Sequence, residues 1–249
     1  MTATLLVICE ARVDFQIATD LADRILRAGH TGTIIHRSPE YRWHESAPGQ
    51  HFICWKDLDK VAEALGIRRL RPRSRFGGVP GAAFDAAADK ALLLASSIQK
   101  KEGLVGVLLI CDSDGDEKER RSGLTQARTA ELNGPSWPFG IVIGLPHPMA
   151  EAWVLAGFEP QDAAELKRLA ELTQEIGRNP CFYSHELGNK SSPRDIKRIL
   201  KILTNHDGER QAICWQQAPL SSLRERGQNN GLAAYLTEID ERIVSALRA

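Results

Sequence analysis

A chain of 249 residues, 43% of them hydrophobic, is long enough to bury a core of its own. Lys plus Arg and Asp plus Glu each number 32, so the formal net charge is zero and coating of nucleic acid by bulk charge is not indicated. There is no run near the roughly 18 apolar residues of a membrane span, no basic leader with a cleavage site and no C-x-x-C pair among the five cysteines, so a soluble, cytoplasmic protein with reduced thiols is expected.

ATLLVIC (3–9) is an apolar run of strand length, and residues 14–29 follow with Phe15, Ile17, Ala18, Leu21, Ala22, Ile25 and Leu26 on one helical face. GTIIHR (32–37) predicts a second strand. Residues 38–80 carry Pro39, Pro48, Pro72 and Pro80 around one short helix candidate (55–66), and they read as a long insertion over the sheet. The Ala-rich stretch 82–101 predicts a helix ended by Gly103, and LVGVLLIC (104–111) a strand covered on both faces. A helix interrupted around Ser122 and Gly123 is expected over 117–132, then a fourth strand, FGIVIGL (139–145). Helices are predicted at 160–177, 192–204 and 230–248, the last with Leu232, Tyr235, Leu236, Ile239, Ile243 and Leu247 along one side. Strands alternating with helices imply an α/β fold, a doubly wound and mainly parallel sheet over 1–158 with the insertion 38–80, and a helical C-terminal region, 159–249, packed on it.

In LLICDSDGDEKERR (108–121), Asp112, Asp114 and Asp116 carry no Lys or Arg between them. Glu10 ends the first predicted strand and Glu151 begins a helix just after the fourth, so all these acids fall at one edge of a parallel sheet. Carboxylates this close repel or rise in pKa unless a hard cation such as Mg²⁺ sits among them. The alternative is that Arg120, Arg121 or arginines of the insertion neutralise them, and the sequence leaves both open. An EF-hand loop does not fit, because Gly115 comes fourth and Gly123 stands where the bidentate Glu belongs. The D-x-D-G string also resembles the nucleophile motif of haloacid-dehalogenase-type phosphatases, but it lies on the third predicted strand and Asp116 follows its glycine.

EARVD (10–14) and DSD (112–114) together resemble the TOPRIM domain of topoisomerases, primases and OLD-family nucleases, which has E-G-x-x-D at the end of its first strand and D-x-D at the end of its third. Ala11 stands where that pattern has glycine. The resemblance spans roughly 4–158, and AEAWVLAG (150–157) narrows it to TOPRIM-like bacterial proteins associated with ATPases in anti-phage operons. It implies a Mg²⁺- or Mn²⁺-dependent endonuclease, the antiviral effector of a defence system under an ABC- or AAA-type ATPase partner. It further implies Asp112 and Asp114 as metal ligands, Glu10 as ligand or acid/base, and Asp116 and Glu151 at a second metal or around the first. A topoisomerase tyrosine in a DNA-gate domain and a primase zinc module are both lacking.

The insertion holds Arg68, Arg69, Arg71, Arg73 and Arg75 within eight residues, which suits phosphate contacts to DNA or RNA, or equally an acidic partner or solvent. Asp14, His147 and Lys190 are auxiliary candidates, with His185 and Lys197 able to reach the same edge. Trp153, Cys9 and Cys111 read as core residues. Three functions stay open: the nuclease, a non-catalytic TOPRIM-like subunit binding nucleic acid or a partner, and a small-molecule phosphohydrolase. Self-association is also left open.

Overall fold

The computed structural model describes residues 2–28, 41–67, 70, 84–129, 137–188 and 192–248. The expected strand at 32–37, the arginines Arg68, Arg69, Arg71, Arg73 and Arg75, and Lys190 lie outside the described residues.

Among the described residues, five parallel strands form one sheet: β1 (Ala3–Cys9), β2 (Tyr41–Trp43), β3 (Ile53–Cys54), β4 (Leu104–Ile110) and β5 (Gly140–Gly144). The order is β2-β1-β4-β5, with β2 beside Ala3–Leu5 and β3 beside Ile8 and Cys9 of β1. The segment expected to lie over the sheet thus supplies its edge. Its local cause is the apolar pair Ile53 and Cys54, both buried, at the end of β1.

Alternate residues of these strands point to opposite faces, which explains why they are apolar throughout. Leu5, Val7, Cys9, Leu108, Ile110 and Val142 enter one core, shared with α1 (Arg12–Ala28) and the C-terminal helices. Leu6, Ile8, Val107, Leu109, Ile141 and Ile143 enter the other, under α2 (Leu58–Ala64), α3 (Asp85–Glu102) and α4 (Glu117–Thr129). α4 runs unbroken through Ser122 and Gly123, because Gly123, Leu124 and Ala127 make its buried face and α3 packs on it.

The chain after β5 forms α5 (Glu151–Ala156), α6 (Ala163–Ile176), α7 (Ile196–Leu203), α8 (Gly208–Gln217), α9 (Leu220–Arg226) and α10 (Leu232–Glu238), then a π-helical turn Ile239–Val244 and α11 (Ser245–Arg248). α6 and α7 begin later than the apolar periodicity suggests, because Asp162 and Asp195 act as N-caps, accepting the Glu165 amide and the Lys197 and Arg198 amides. The expected single helix 230–248 is divided by the π turn, whose Ile239, Ile243 and Val244 are buried. That turn rests directly on the sheet: a Cβ at Gly106 would stand 2.4 Å from Ile243 Cδ1, and one at Gly140 2.9 Å from the Arg242 carbonyl oxygen. Tyr235, fully buried, donates its hydroxyl to the Ala18 carbonyl at 2.8 Å and stacks on Trp153 with ring centroids 4.9 Å apart. Arg24 of α1 donates to the Trp215 and Ala218 carbonyls, so the C-terminal helices and the sheet share one core.

No helix of the described residues is long and apolar enough to cross a membrane. All five cysteines are free and buried.

Candidate functional site

Because β1 and β4 are parallel neighbours, with Ile8 opposite Leu109, Glu10 and Asp112 leave the sheet side by side. The loop after β4 is fixed by a continuation of the β4–β5 ladder beyond both strands. The Cys111 amide donates to the Gly144 carbonyl (3.1 Å), the Ser113 amide to Pro146 (2.9 Å) and the Asp114 amide to Pro148 (3.2 Å). Ser113 is fully buried, and its hydroxyl meets His147 Nδ1 at 2.8 Å and the Pro148 carbonyl at 3.2 Å. The peptide bond between His147 and Pro148 is cis.

Four carboxylates gather at this edge: Glu10, Asp14, Asp112 and Glu151. Asp112 accepts the Ala150 amide at 2.9 Å, which joins its loop to the start of α5. Burial, reinforced by the charges of Asp14, Glu10 and Glu151, pushes the Asp112 carboxyl up to about 8. Burial also lifts Asp14 to about 6, with Glu10 and Glu151 adding to it and a hydrogen bond from the Ala11 amide, 2.8 Å long, opposing it. That hydrogen bond is the return half of a capping box, and it explains why α1 starts at Arg12, ahead of the expected Asp14.

The three aspartates of DSDGD have different partners. Asp114 takes a left-handed conformation (φ 48°) and Gly115 follows at φ 86°, a turn that aspartate and glycine tolerate. This turn delivers the Asp114 carboxylate to Arg120 Nη2 at 2.7 Å. Asp116 is exposed at the entrance to α4, where its carbonyl accepts the Arg120 amide at 3.2 Å.

Arg120 is the cation the site holds. Its Nη1 donates to the Asp112 carbonyl at 2.6 Å and stands 3.7 Å from Glu10 Oε1, while Nη2 pairs with Asp114. The guanidinium lies 5.3 Å from the centre of the Phe84 ring, which packs edge-on against Trp55, and Trp55 Nε1 donates to the Ile110 carbonyl at 2.7 Å. Arg121, the other candidate neutraliser, pairs instead with Glu117. On the far side Lys197 Nζ lies 3.5 Å from Glu151. Among the described residues no three His, Cys, Asp or Glu side chains stand together in the arrangement of a metal centre. The donor set is nonetheless of the right kind, since hard oxygen ligands of carboxylate type suit Mg²⁺ or Mn²⁺.

Sequence patterning gave no sign of Asn230. It is fully buried just before α10 and joins four segments. Its amide donates to the Ala152 carbonyl and Ser184 Oγ at 3.0 Å each, its side-chain oxygen accepts the Leu232 amide, and its carbonyl accepts the His147 amide and Trp153 Nε1. The segment from His147 to Trp153, Glu151 included, is therefore positioned by the helical C-terminal region. Trp153 itself is core, as expected.

Beside the Asp114 turn opens a cavity of about 690 Å³, bounded by Asp114, Gly115, His147, His185, Glu186 and Arg194 among others. His185 is held below its ordinary pKa by burial, with Glu186 opposing and His147 reinforcing that effect.

Compared with known proteins, the chain matches no family model, no curated protein and no solved structure.

Proposed function

We propose that this sheet edge is a TOPRIM-type, divalent-cation-dependent centre that hydrolyses nucleic-acid phosphodiesters. The observation supporting it is the convergence of Glu10, Asp14, Asp112 and Glu151 from three separate loops, with Asp112 pushed up to about 8. A surface of merely solvated acids has no reason to crowd an exposed carboxylate and three half-buried ones in this way. Asp112 and Glu10 would hold Mg²⁺ or Mn²⁺, with Asp114 and Glu151 as the further oxygen donors and Asp116 at the rim. Bound there, the cation supplies positive charge that polarises a phosphodiester and makes water more acidic.

The chain's own residues supply the rest. The Ala150 amide orients Asp112. Asp14, with a carboxyl near 6, is suited to take a proton from water close to neutral pH. His147, steadied by Ser113, stands beside the Asp114 turn to meet a phosphate oxygen. Arg68, Arg69, Arg71, Arg73 and Arg75 are proposed to hold the strand backbone, and an ATPase partner to control access.

Incubating the protein with plasmid, single-stranded DNA and tRNA over a series of Mg²⁺ and Mn²⁺ concentrations tests this reading. Cleavage that disappears in Asp112→Ala and Glu10→Ala supports it. Turnover of phosphate monoesters alone points instead to a phosphohydrolase.

A second reading is favoured by Arg120, which already bridges Glu10 and Asp114 and fills a cation's place. On that reading the chain is a non-catalytic TOPRIM-like subunit, and binding without cleavage under either metal is the result that selects it.

A further inference from the structure

We propose that the cavity beside the Asp114 turn receives one unpaired nucleotide of a single-stranded nucleic acid, its phosphate toward His147, His185 and Arg194 and its base against Tyr183. The inference rests on the proposed phosphodiester site and names its substrate class.

The acids and bases around the cavity are unequally matched. Asp114 is paired with Arg120 and Glu186 with Arg178, both arginines standing outside the lining residues. The Arg194 side chain, by contrast, makes no ion pair with a described residue. His185 Nδ1 is buried with no hydrogen-bond partner among the described residues. His147 has its Nδ1 fixed by Ser113 Oγ, which leaves Nε2 as the ring's other polar atom. The Arg194 guanidinium suits phosphate oxygens as it stands, and the free nitrogens of His147 and His185 donate to them once the rings are protonated. A space of about 690 Å³ suits a ligand of nucleotide size.

The neighbouring surface supplies a place for the base. Phe182 and Tyr183 are each 43% exposed, unusual for large rings on a protein whose other aromatic side chains are mostly covered. Tyr183 lies 6.2 Å from the His185 ring, and the Arg178 guanidinium stands 5.0 Å from the centre of the Tyr183 ring. Arg226 lies 4.9 Å from the Phe182 ring centre. Exposed rings flanked by guanidiniums stack on bases irrespective of sequence. A base inside a duplex is paired and stacked, so it reaches neither the ring nor the cavity without being extruded.

The test uses the full chain in EDTA, so that binding is read without cleavage, with a fluorescein-labelled single strand, the same strand annealed to its complement, and free nucleoside monophosphate as competitor. Anisotropy is expected to show the single strand bound roughly tenfold or more tightly than the duplex, with Tyr183→Ala weakening it by roughly tenfold and Tyr183→Phe restoring it. Arg194→Ala should lower the slope of log affinity against log salt by about one. Equal affinity for duplex and single strand, or wild-type binding by Tyr183→Ala and Arg194→Ala proteins that melt normally, overturns the proposal. So does saturation by the monophosphate with no affinity for the strand. A cleavage assay on the wild-type chain separates this inference from the catalytic one: single-strand binding by a wild-type protein that cleaves nothing under any metal sinks the nuclease and leaves the nucleotide site. Cleavage with binding indifferent to Tyr183 and Arg194 does the reverse.

Discussion

Asp112 accepts a hydrogen bond from the Ala150 amide at 2.9 Å, which ties the acid that ends β4 to the first turn of the helix carrying Glu151. The two carboxylates are held near each other by backbone, so their mutual repulsion is built into the fold. Protonation of Asp112, whose carboxyl is pushed up to about 8, relieves it at neutral pH.

The metal-free protein is predicted to grow less stable as pH rises. Asp112 and Asp14 have folded-state pKa values raised to about 8 and about 6, from 3.8. The folded state therefore holds their protons more tightly than the unfolded chain does. The stability they contribute is fully present below pH 3.8 and is lost as pH climbs through 6 and then 8. Asp112→Asn keeps an oxygen for the Ala150 amide and removes the charge, so it should raise the melting temperature at pH 8 by roughly 5 °C, or about 2 kcal/mol, and change it little at pH 4. Thermal melts in EDTA at the two pH values check this.

Mg²⁺ or Mn²⁺ is predicted to reverse that trend. Ligand carboxylates must be deprotonated to bind, so the increase in melting temperature on adding either ion should be small at pH 5 and grow toward pH 8. An increase that is the same at both pH values places the ion elsewhere on the protein.

Arg120→Gln removes the guanidinium that pairs with Glu10 and Asp114. If Arg120 competes with a metal, the variant binds Mn²⁺ several-fold more tightly than wild type. On the scaffold reading the same change only destabilises, by about 1–3 kcal/mol, because it leaves crowded carboxylates without a counter-charge. Calorimetric titration together with a urea unfolding curve distinguishes these outcomes.

Asn230→Ala is predicted to cost about 2–4 kcal/mol of stability, since it strands the buried Ser184 hydroxyl, the Ala152 carbonyl and the Leu232 amide. It should also lower any metal affinity, because the Asn230 side chain holds the Ala152 carbonyl next to Glu151. Gly106→Ala, measured in the same unfolding experiment, should destabilise by about 1–3 kcal/mol through its clash with Ile243 while leaving metal affinity unchanged in the folded fraction.

Most of the parallel sheet could be read from apolar runs, because strands buried on both faces need nothing else. The edge strands could not: Tyr41–Trp43 and Ile53–Cys54 are too short to carry a period, and only their pairing with β1 makes them strands. The convergence of Glu10, Asp112 and Glu151 on one edge is legible because strand ends on a parallel sheet meet by topology alone. The nearness of Asp14 to these acids is not legible, since it depends on α1 starting at Arg12. The pairing of Asp114 with Arg120 is not legible, because alternation along the string says nothing of the left-handed turn at Asp114. Asn230 lies more than a hundred residues from Asp112 in the chain and has no local pattern, so only tertiary contacts disclose it.

The most direct measurement is a calorimetric titration of Mn²⁺ into wild-type protein and into Asp112→Asn at pH 8. A saturable site of one or two ions that is lost in the variant is the predicted result. Equal heats in the two proteins, or no binding in either, contradict the claim that these acids exist to hold a cation.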